Sequence, residues 1–331
     1  MNSITNLSRR KREELFLATS HDIKLPEAMA EKDFWVCWLL DYLFHRSPWG
    51  NHLSFKGGTS LSKCYGLIER FSEDIDLILD WRILGYTPQE PWNERSKTSQ
   101  DKLNKAIDSR TILFLRDVFL PQVYGAFKQV FSEPFELYIE DNEPQTVCFA
   151  YPRIFKDNAI VSVVRMEIGA LAEWTPVQTS VVTPYAAECY PQVFKIPSTT
   201  VLTVMPERTF WEKVTILHKE FFRTSNRFPA RYSRHYYDLH CMYKSPVKNR
   251  ALTDLELLER VVLFKSRFYP TAAARYDLAQ PGTMRLVPSG EDIAALNEDY
   301  EHMKNMIFGI KPDFTDILET LQQMESEINT L

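Results

Sequence analysis

Apolar residues recur at helical spacing through residues 8–20 and again through 27–45, where Phe34, Trp35, Trp38, Leu39 and Tyr42 form a stripe behind Pro26. Two N-terminal helices follow from that pattern, with Pro26 placed as a first-turn proline. The charged triplet Glu31-Lys32-Asp33 reads as a solvated turn of the second helix. The pattern then changes. Leu53-Ser54-Phe55 is a short strand leading to Lys56 and a glycine pair, residues 60–70 have helical character, and residues 74–79 form a second strand. Residues 82–105 are polar and carry Pro88 and Pro91, which predicts an exposed insertion. Helical periodicity returns over 107–131, and strands are predicted at 135–139, 146–151 and 160–168, extending the sheet begun near residue 74.

Between residues 175 and 206 five prolines separate short β-branched runs, as in edge strands and turns. Beyond them, residues 207–223, 233–244, 252–268, 290–308 and 313–329 all suit helices. The fold class expected is therefore α/β (α+β), a mixed sheet flanked by helices with a mainly helical C-terminal part. A soft boundary near 200 divides the chain into 1–200 and 201–331.

Composition changes this picture little, with 44% hydrophobic and 25% charged residues as in an ordinary globular chain. Charge changes it more. The net charge of −5 hides a segment, residues 195–250, with eleven Lys and Arg against four Asp and Glu. Such a segment can attract an anionic partner. Five scattered cysteines without a CxxC pair point to reduced thiols and a cytoplasmic protein. The N-terminus lacks the apolar run of a signal peptide, and the most hydrophobic run, 34–44, is too short to span a bilayer and contains Asp41, so no membrane segment is expected.

The chemistry concentrates in Lys56–Asp80. In a strand, residues i and i+2 share a face, so Asp74 and Asp76 project together while Ile75 and Leu77 go to the core. Paired carboxylates beside a core are costly unless a cation meets them, and they suit shared Mg²⁺ ligation. Gly57-Gly58-Thr59-Ser60 can turn tightly and offer backbone N–H and hydroxyl donors to phosphates. Glu167, between Met166 and Ile168 on a later strand, reads equally as a third metal ligand or as a salt-bridge partner of Arg165 or of a lysine on another strand. His218, His235 and His240 have no zinc-like spacing with the cysteines.

Gly57-Gly58-Thr59-Ser60 followed by Arg70-Phe71-Ser72-Glu73-Asp74-Ile75-Asp76-Leu77 resembles the nucleotidyltransferases of the DNA polymerase beta superfamily, and more narrowly the AbiEii/AbiGii toxin family. Glu207, Glu212-Lys213 and His235-Tyr236-Tyr237-Asp238-Leu239 resemble the later lysine and aspartate motifs, so the likeness covers roughly residues 25–245. It implies a nucleotidyltransferase fold whose C-terminal part completes the active site. It also implies transfer of a nucleoside monophosphate from an NTP with Mg²⁺ or Mn²⁺, and a toxin whose antitoxin is encoded separately. Some relatives modify tRNA acceptor ends, which makes tRNA or another RNA the expected acceptor and arrest of translation and growth the expected outcome.

By position, Asp74 and Asp76 match the metal-binding aspartates, and Thr59, Ser60 and Ser72 match hydroxyls near the phosphates. Lys213 matches the nucleotide-contacting lysine and Asp238 the late essential acid. Without the family, Lys213 reads as a lysine snorkelling to water from an apolar helix, and Asp238 can anchor Arg231 or Arg234. Lys219, Arg223, Arg227, Arg231 and Arg234, interleaved with Phe221, Phe222, Phe228 and Tyr232, suit phosphate contacts and base stacking, so this run reads as an RNA-binding rim. Two rivals stand beside RNA modification. One is nucleotidyl or phosphoryl transfer to a protein serine, including the chain's own Ser72, and the other is a non-catalytic nucleotide-binding module acting through a partner.

Overall fold

The computed structural model describes residues 1–72, 74–157, 160–223 and 228–331, with the backbone alone at 291. The chain divides into two units: Met1–Cys64 with Ser72–Thr203, and Tyr65–Phe71 with Val204–Leu331.

The first unit is built on a seven-stranded mixed sheet: β1 Leu53–Lys56, β2 Ile75–Leu79, β3 Glu136–Glu140, β4 Glu143–Ala150, β5 Val164–Gly169, β6 Val177–Val182 and β7 Thr199–Val204, in the order β3-β4-β5-β2-β1-β7-β6. β1 runs antiparallel to β2 and parallel to β7, whereas β2 and β5 are parallel. The helices of this unit are α1 Asn2–Thr5, α2 Arg9–Ile23, α3 Glu27–His45, α4 Gly57–Lys63, α5 Lys97–Phe114, α6 Leu120–Val130 and α7 Tyr185–Cys189. Helix α2 starts where Ser8 accepts a hydrogen bond from the Lys11 amide, and it ends at Lys24, which has left-handed φ.

α3 is the centre of the core, with Phe34, Trp35 and Trp38 fully buried. Trp35 stacks on Tyr151, Trp38 meets Phe127 edge-on at 5.1 Å, and Phe127 meets Phe149 at 5.0 Å. Such ring pairs add to what their burial alone contributes. Because α3 is buried on nearly all sides, its charges are not solvated, which corrects the reading of Glu31-Lys32-Asp33. Each is individually satisfied, as buried charge must be. Glu31 accepts from the Ile154 and Phe155 amides, Lys32 donates to the Val161 carbonyl at 2.8 Å, and Asp33 accepts from the Tyr185 amide at 2.7 Å.

Two helical boundaries also differ from expectation. The helix expected over 60–70 instead starts on the glycine pair at Gly57 and ends at Lys63, and the backbone turns through Gly66 at φ +58. Residues 97–105 at the end of the insertion belong to α5, whose start is capped by Ser96 accepting from the Ser99 amide.

The second unit is helical: α8 Pro206–Phe221, α9 Arg234–Tyr243, α10 Val247–Leu252, α11 Leu255–Phe268, α12 Gly290–Met303 and α13 Phe314–Asn329. α8 begins with a first-turn proline and Glu207 and ends with His218 and Lys219, matching the helix dipole at both ends. It packs against α9, α10 and α11, while α13 lies along α9. Residues 65–71 join this unit through backbone bonds, Phe71 N–H to the Met306 carbonyl and Phe308 N–H to the Glu69 carbonyl, both at 2.8 Å.

Candidate active site

Register places a row of polar residues across the sheet of the first unit. Lys56 of β1 pairs with Asp76 of β2, Asp76 with Glu167 of β5, and Glu167 with Thr146 of β4. Cross-strand partners share a face, so these side chains stand side by side. Asp74 immediately precedes β2. It and Asp76 are partly exposed, whereas Ile75 and Leu77 between and after them are buried at 0% and 1%.

Gly57 explains why a glycine begins α4. Its φ is +83, and a Cβ built there would lie 1.8 Å from Asp76 Oδ2. Only a residue without a side chain lets the backbone come this close to the carboxylate. Behind it, Ser60 Oγ donates to the Gly57 carbonyl at 2.9 Å. Thr59 Oγ1 donates to the Asp74 carbonyl at 2.6 Å and lies 3.0 Å from the Ser72 hydroxyl. Thr59 and Ser60 are buried, and their hydroxyls tie the glycine turn to the aspartate segment, while Ser72 stays partly exposed. Lys63, at the end of α4, is buried against Asp33 at 2.8 Å and lies over the Tyr185 ring. Burial alone would lower its pKa, but Asp33 holds it well above the usual lysine range.

Asp74, Asp76 and Glu167 are oxygen donors of the kind hard cations take, and the cradle beside Asp76 exists because Gly57 leaves it open. Among the described residues, no three His, Cys, Asp or Glu side chains are gathered into a ready metal cage. Mg²⁺ does not require one, because it keeps several waters and is held by one or two carboxylates together with substrate phosphates. The residues present therefore fit a divalent ion. Arg165, two residues before Glu167, pairs with Glu140 at 3.0 Å and Glu143 at 2.5 Å and also feels the charge of Asp74.

In the second unit the late motifs converge on one buried carboxylate. Asp238 of α9 is 0% exposed. Arg70 grips it with a fork, Nε to Oδ1 at 2.7 Å and Nη2 to Oδ2 at 2.8 Å, and Lys213 Nζ of α8 reaches Oδ2 at 2.8 Å. Burial would raise the Asp238 pKa, yet the two cations hold it far below the usual carboxylate range. Burial lowers Lys213, Asp238 opposes that, and Arg70 adds to the lowering. Lys213 thus does not snorkel to water, and the Arg231 or Arg234 partner considered for Asp238 is replaced by Arg70. His235 Nδ1 lies 3.5 Å from Lys213 Nζ, and burial with the adjacent cations keeps its ring neutral.

The basic run divides by exposure. Lys219, Arg231 and Arg234 are exposed. Arg223 is bound to Glu220 at 2.7 Å and stands over the Phe228 ring, and Arg227 lies outside the described residues. Arg70 is the residue that sequence reasoning passed over. Its signal was present in the arginine opening Arg-Phe-Ser-Glu-Asp-Ile-Asp, but its partner is 168 positions away.

The chain is a nucleotidyltransferase. It belongs to the nucleotidyl transferase AbiEii toxin family of type IV toxin–antitoxin systems, whose family model matches residues 38–320. Among solved structures it is similar to MenT4, a nucleotidyltransferase toxin from Mycobacterium tuberculosis H37Rv. That likeness spans 98% of each chain at 17% identity with a TM-score of 0.43, too loose to carry an argument. No curated protein matches the chain. Among the described residues, no helix is long and apolar enough to cross a membrane.

Proposed function

We propose that the chain uses Mg²⁺ and an NTP to attach a nucleoside monophosphate to an RNA 3′-hydroxyl, with the tRNA 3′ end as acceptor, and so blocks translation until a separately encoded antitoxin restrains it. The observation that carries this reading is the approach of Gly57 to Asp76, which leaves a side-chain-free space beside a carboxylate that has Asp74 and Glu167 as neighbours. In the transfer, the 3′-oxygen forms a bond to the α-phosphorus, the α–β bridging oxygen leaves with pyrophosphate, and the hydroxyl proton goes to solvent. The divalent ion, when bound, lowers the pKa of the attacking hydroxyl and offsets charge on the leaving group.

Asp74 and Asp76 would hold that ion, with Glu167 as a further oxygen donor. The backbone of Gly57, Gly58, Thr59 and Ser60, with the Ser72 hydroxyl, orients the phosphates. Lys213 supplies positive charge as pyrophosphate forms, and Asp238 fixes the ammonium. Lys219, Arg223, Arg227, Arg231 and Arg234 supply phosphate contacts for the RNA.

The test incubates the protein with total RNA, Mg²⁺ and each labelled NTP in turn. Label at RNA 3′ ends, abolished by Asp76→Asn, is the expected result. Label on protein, with Ser72 modified, would establish the serine acceptor instead. Absence of any labelled product with all four NTPs refutes the transfer to RNA.

A further inference from the structure

Lys213 and Asp238 form an ion pair whose geometry a third residue sets. Asp238 is fully buried, and a carboxylate offered to one lysine in that setting would form a closed, neutral pair. Here both oxygens are already taken by the planar guanidinium of Arg70 at 2.7 and 2.8 Å, and Lys213 shares Oδ2 as a second cation. Two consequences follow. The fork fixes the plane of the carboxylate, and with it the position of Lys213 Nζ, as a lysine in place of Arg70 could not. Asp238 thus shares one negative charge between two cations, so this carboxylate alone does not cancel the Lys213 ammonium.

We propose that Arg70 is a positioning residue for the transfer reaction, acting through Asp238 to hold the Lys213 ammonium in place and to keep its charge uncompensated. The inference rests on the reading of Lys213 and Asp238 given above. Arg70 is suited to the role by its own anchorage. The segment bearing it is fastened by the Glu69 and Phe71 backbone bonds to Phe308 and Met306, and Arg70 itself bridges to Ile307.

Other charged groups among the described residues lie on the helices packed around Lys213. From α9, His235 lies at 3.5 Å with its ring kept neutral, and Arg234 adds a lowering influence. On α10, Arg250 is engaged by Glu207 of α8, and on α11 Lys265 donates at 2.8 Å to the Glu212 carbonyl and the Thr215 hydroxyl. Arg70 is thus the cation that bears on Lys213 through a shared carboxylate. Removing its charge raises the Lys213 pKa, because a neighbouring cation disfavours a second protonated group.

Arg70→Lys and Arg70→Gln test the proposal, with Lys213→Arg as reference. In Arg70→Lys, which keeps the charge and loses the fork, kcat falls on the order of 10- to 100-fold while KM for NTP changes little. In Arg70→Gln the alkaline limb of the kcat–pH profile moves to higher pH, and in Lys213→Arg that limb disappears from the same range. The position of a limb does not depend on how much enzyme is folded, so Arg70→Gln is informative even at low yield. A purely structural role for Arg70 lowers yield and melting temperature and leaves both the limb and the kcat of folded Arg70→Lys in place; that result overturns the inference. Full activity in Lys213→Ala and Asp238→Asn overturns the underlying reading instead.

Discussion

Gly57→Ala perturbs the site with a single methyl group. The added carbon would start 1.8 Å from Asp76 Oδ2 and 2.6 Å from its Cγ, whereas real Cβ contacts essentially never fall under 3.0 Å. The carboxylate must therefore retreat by more than an ångström, or α4 must shift away from β2. In addition, an L-residue at φ +83 costs about 1–2 kcal/mol of backbone strain. Reduced freedom of the unfolded chain returns roughly 0.4–1 kcal/mol of that. The backbone contribution alone is on the order of 1 kcal/mol, which in a unit of this size lowers the melting temperature by about 2–4 °C, and the displacement of Asp76 adds to it. The effect on transfer is much larger. Misplacing a reacting group by an ångström costs on the order of 100-fold, or about 2.7 kcal/mol of barrier. Gly125→Ala is the control, because Gly125 lies inside α6 with open space around its would-be Cβ, and alanine there stabilises by roughly 0.5–1 kcal/mol. Labelled-NTP transfer and thermal melting are measured on both variants. If Gly57→Ala transfers at the wild-type rate, the close approach of Gly57 to Asp76 has no part in the chemistry.

Three further outcomes are expected. Asp33→Asn leaves the buried Lys63 ammonium without its carboxylate, and the loss is about 3–5 kcal/mol in chemical denaturation, with Asp33→Asn/Lys63→Met recovering much of it. A single loss no larger than that of an exposed pair would show that Asp33 does not hold Lys63. His240 is pushed down from 6.5 to about 4, first by burial and then by Lys244, so the folded state keeps it neutral while the unfolded chain protonates near 6.5. Its contribution is therefore complete above pH 6.5 and is lost as pH falls towards 4, on the order of 2 kcal/mol; urea midpoints against pH for His240→Gln should lie flatter across that window. On the RNA acceptor proposed above, replacing Lys219, Arg231 and Arg234 together with Gln lowers RNA affinity and reduces the salt slope of log K by about two to three, and an unchanged slope refutes their role as RNA contacts.

The sheet unit was legible because its signals are local. An apolar alternation flanked by glycines reads as strand, turn and strand wherever it occurs, and β1 and β2 followed from it, whereas the glycine pair read as a turn opens α4, which runs Gly57–Lys63 and not 60–70. Charge on α3 was not legible in the same way. Glu31 and Asp33 look solvated until the amides of Ile154, Phe155 and Tyr185 arrive from more than a hundred residues away. Thr59 and Ser60 show a different limit. Hydroxyl residues beside a glycine pair suit a ligand or the loop's own carbonyls equally well, and only the coordinates show that Asp74 and Gly57 take them.

Fifteen residues separate Gly58 from Asp74, and their disposition explains the length. Tyr65–Phe71 belongs to the helical unit, while the residues on either side belong to the sheet unit. A short connection would bring the glycine turn to the aspartates equally well, so the extra residues are not needed for that closure. They deliver Arg70 to Asp238. One stretch of chain thus carries the carboxylates of the first unit and the guanidinium of the second. Shortening it between Gly66 and Phe71 would withdraw Arg70 from Asp238, whereas the Lys56–Asp76 and Asp76–Glu167 register is set by strand pairing outside it.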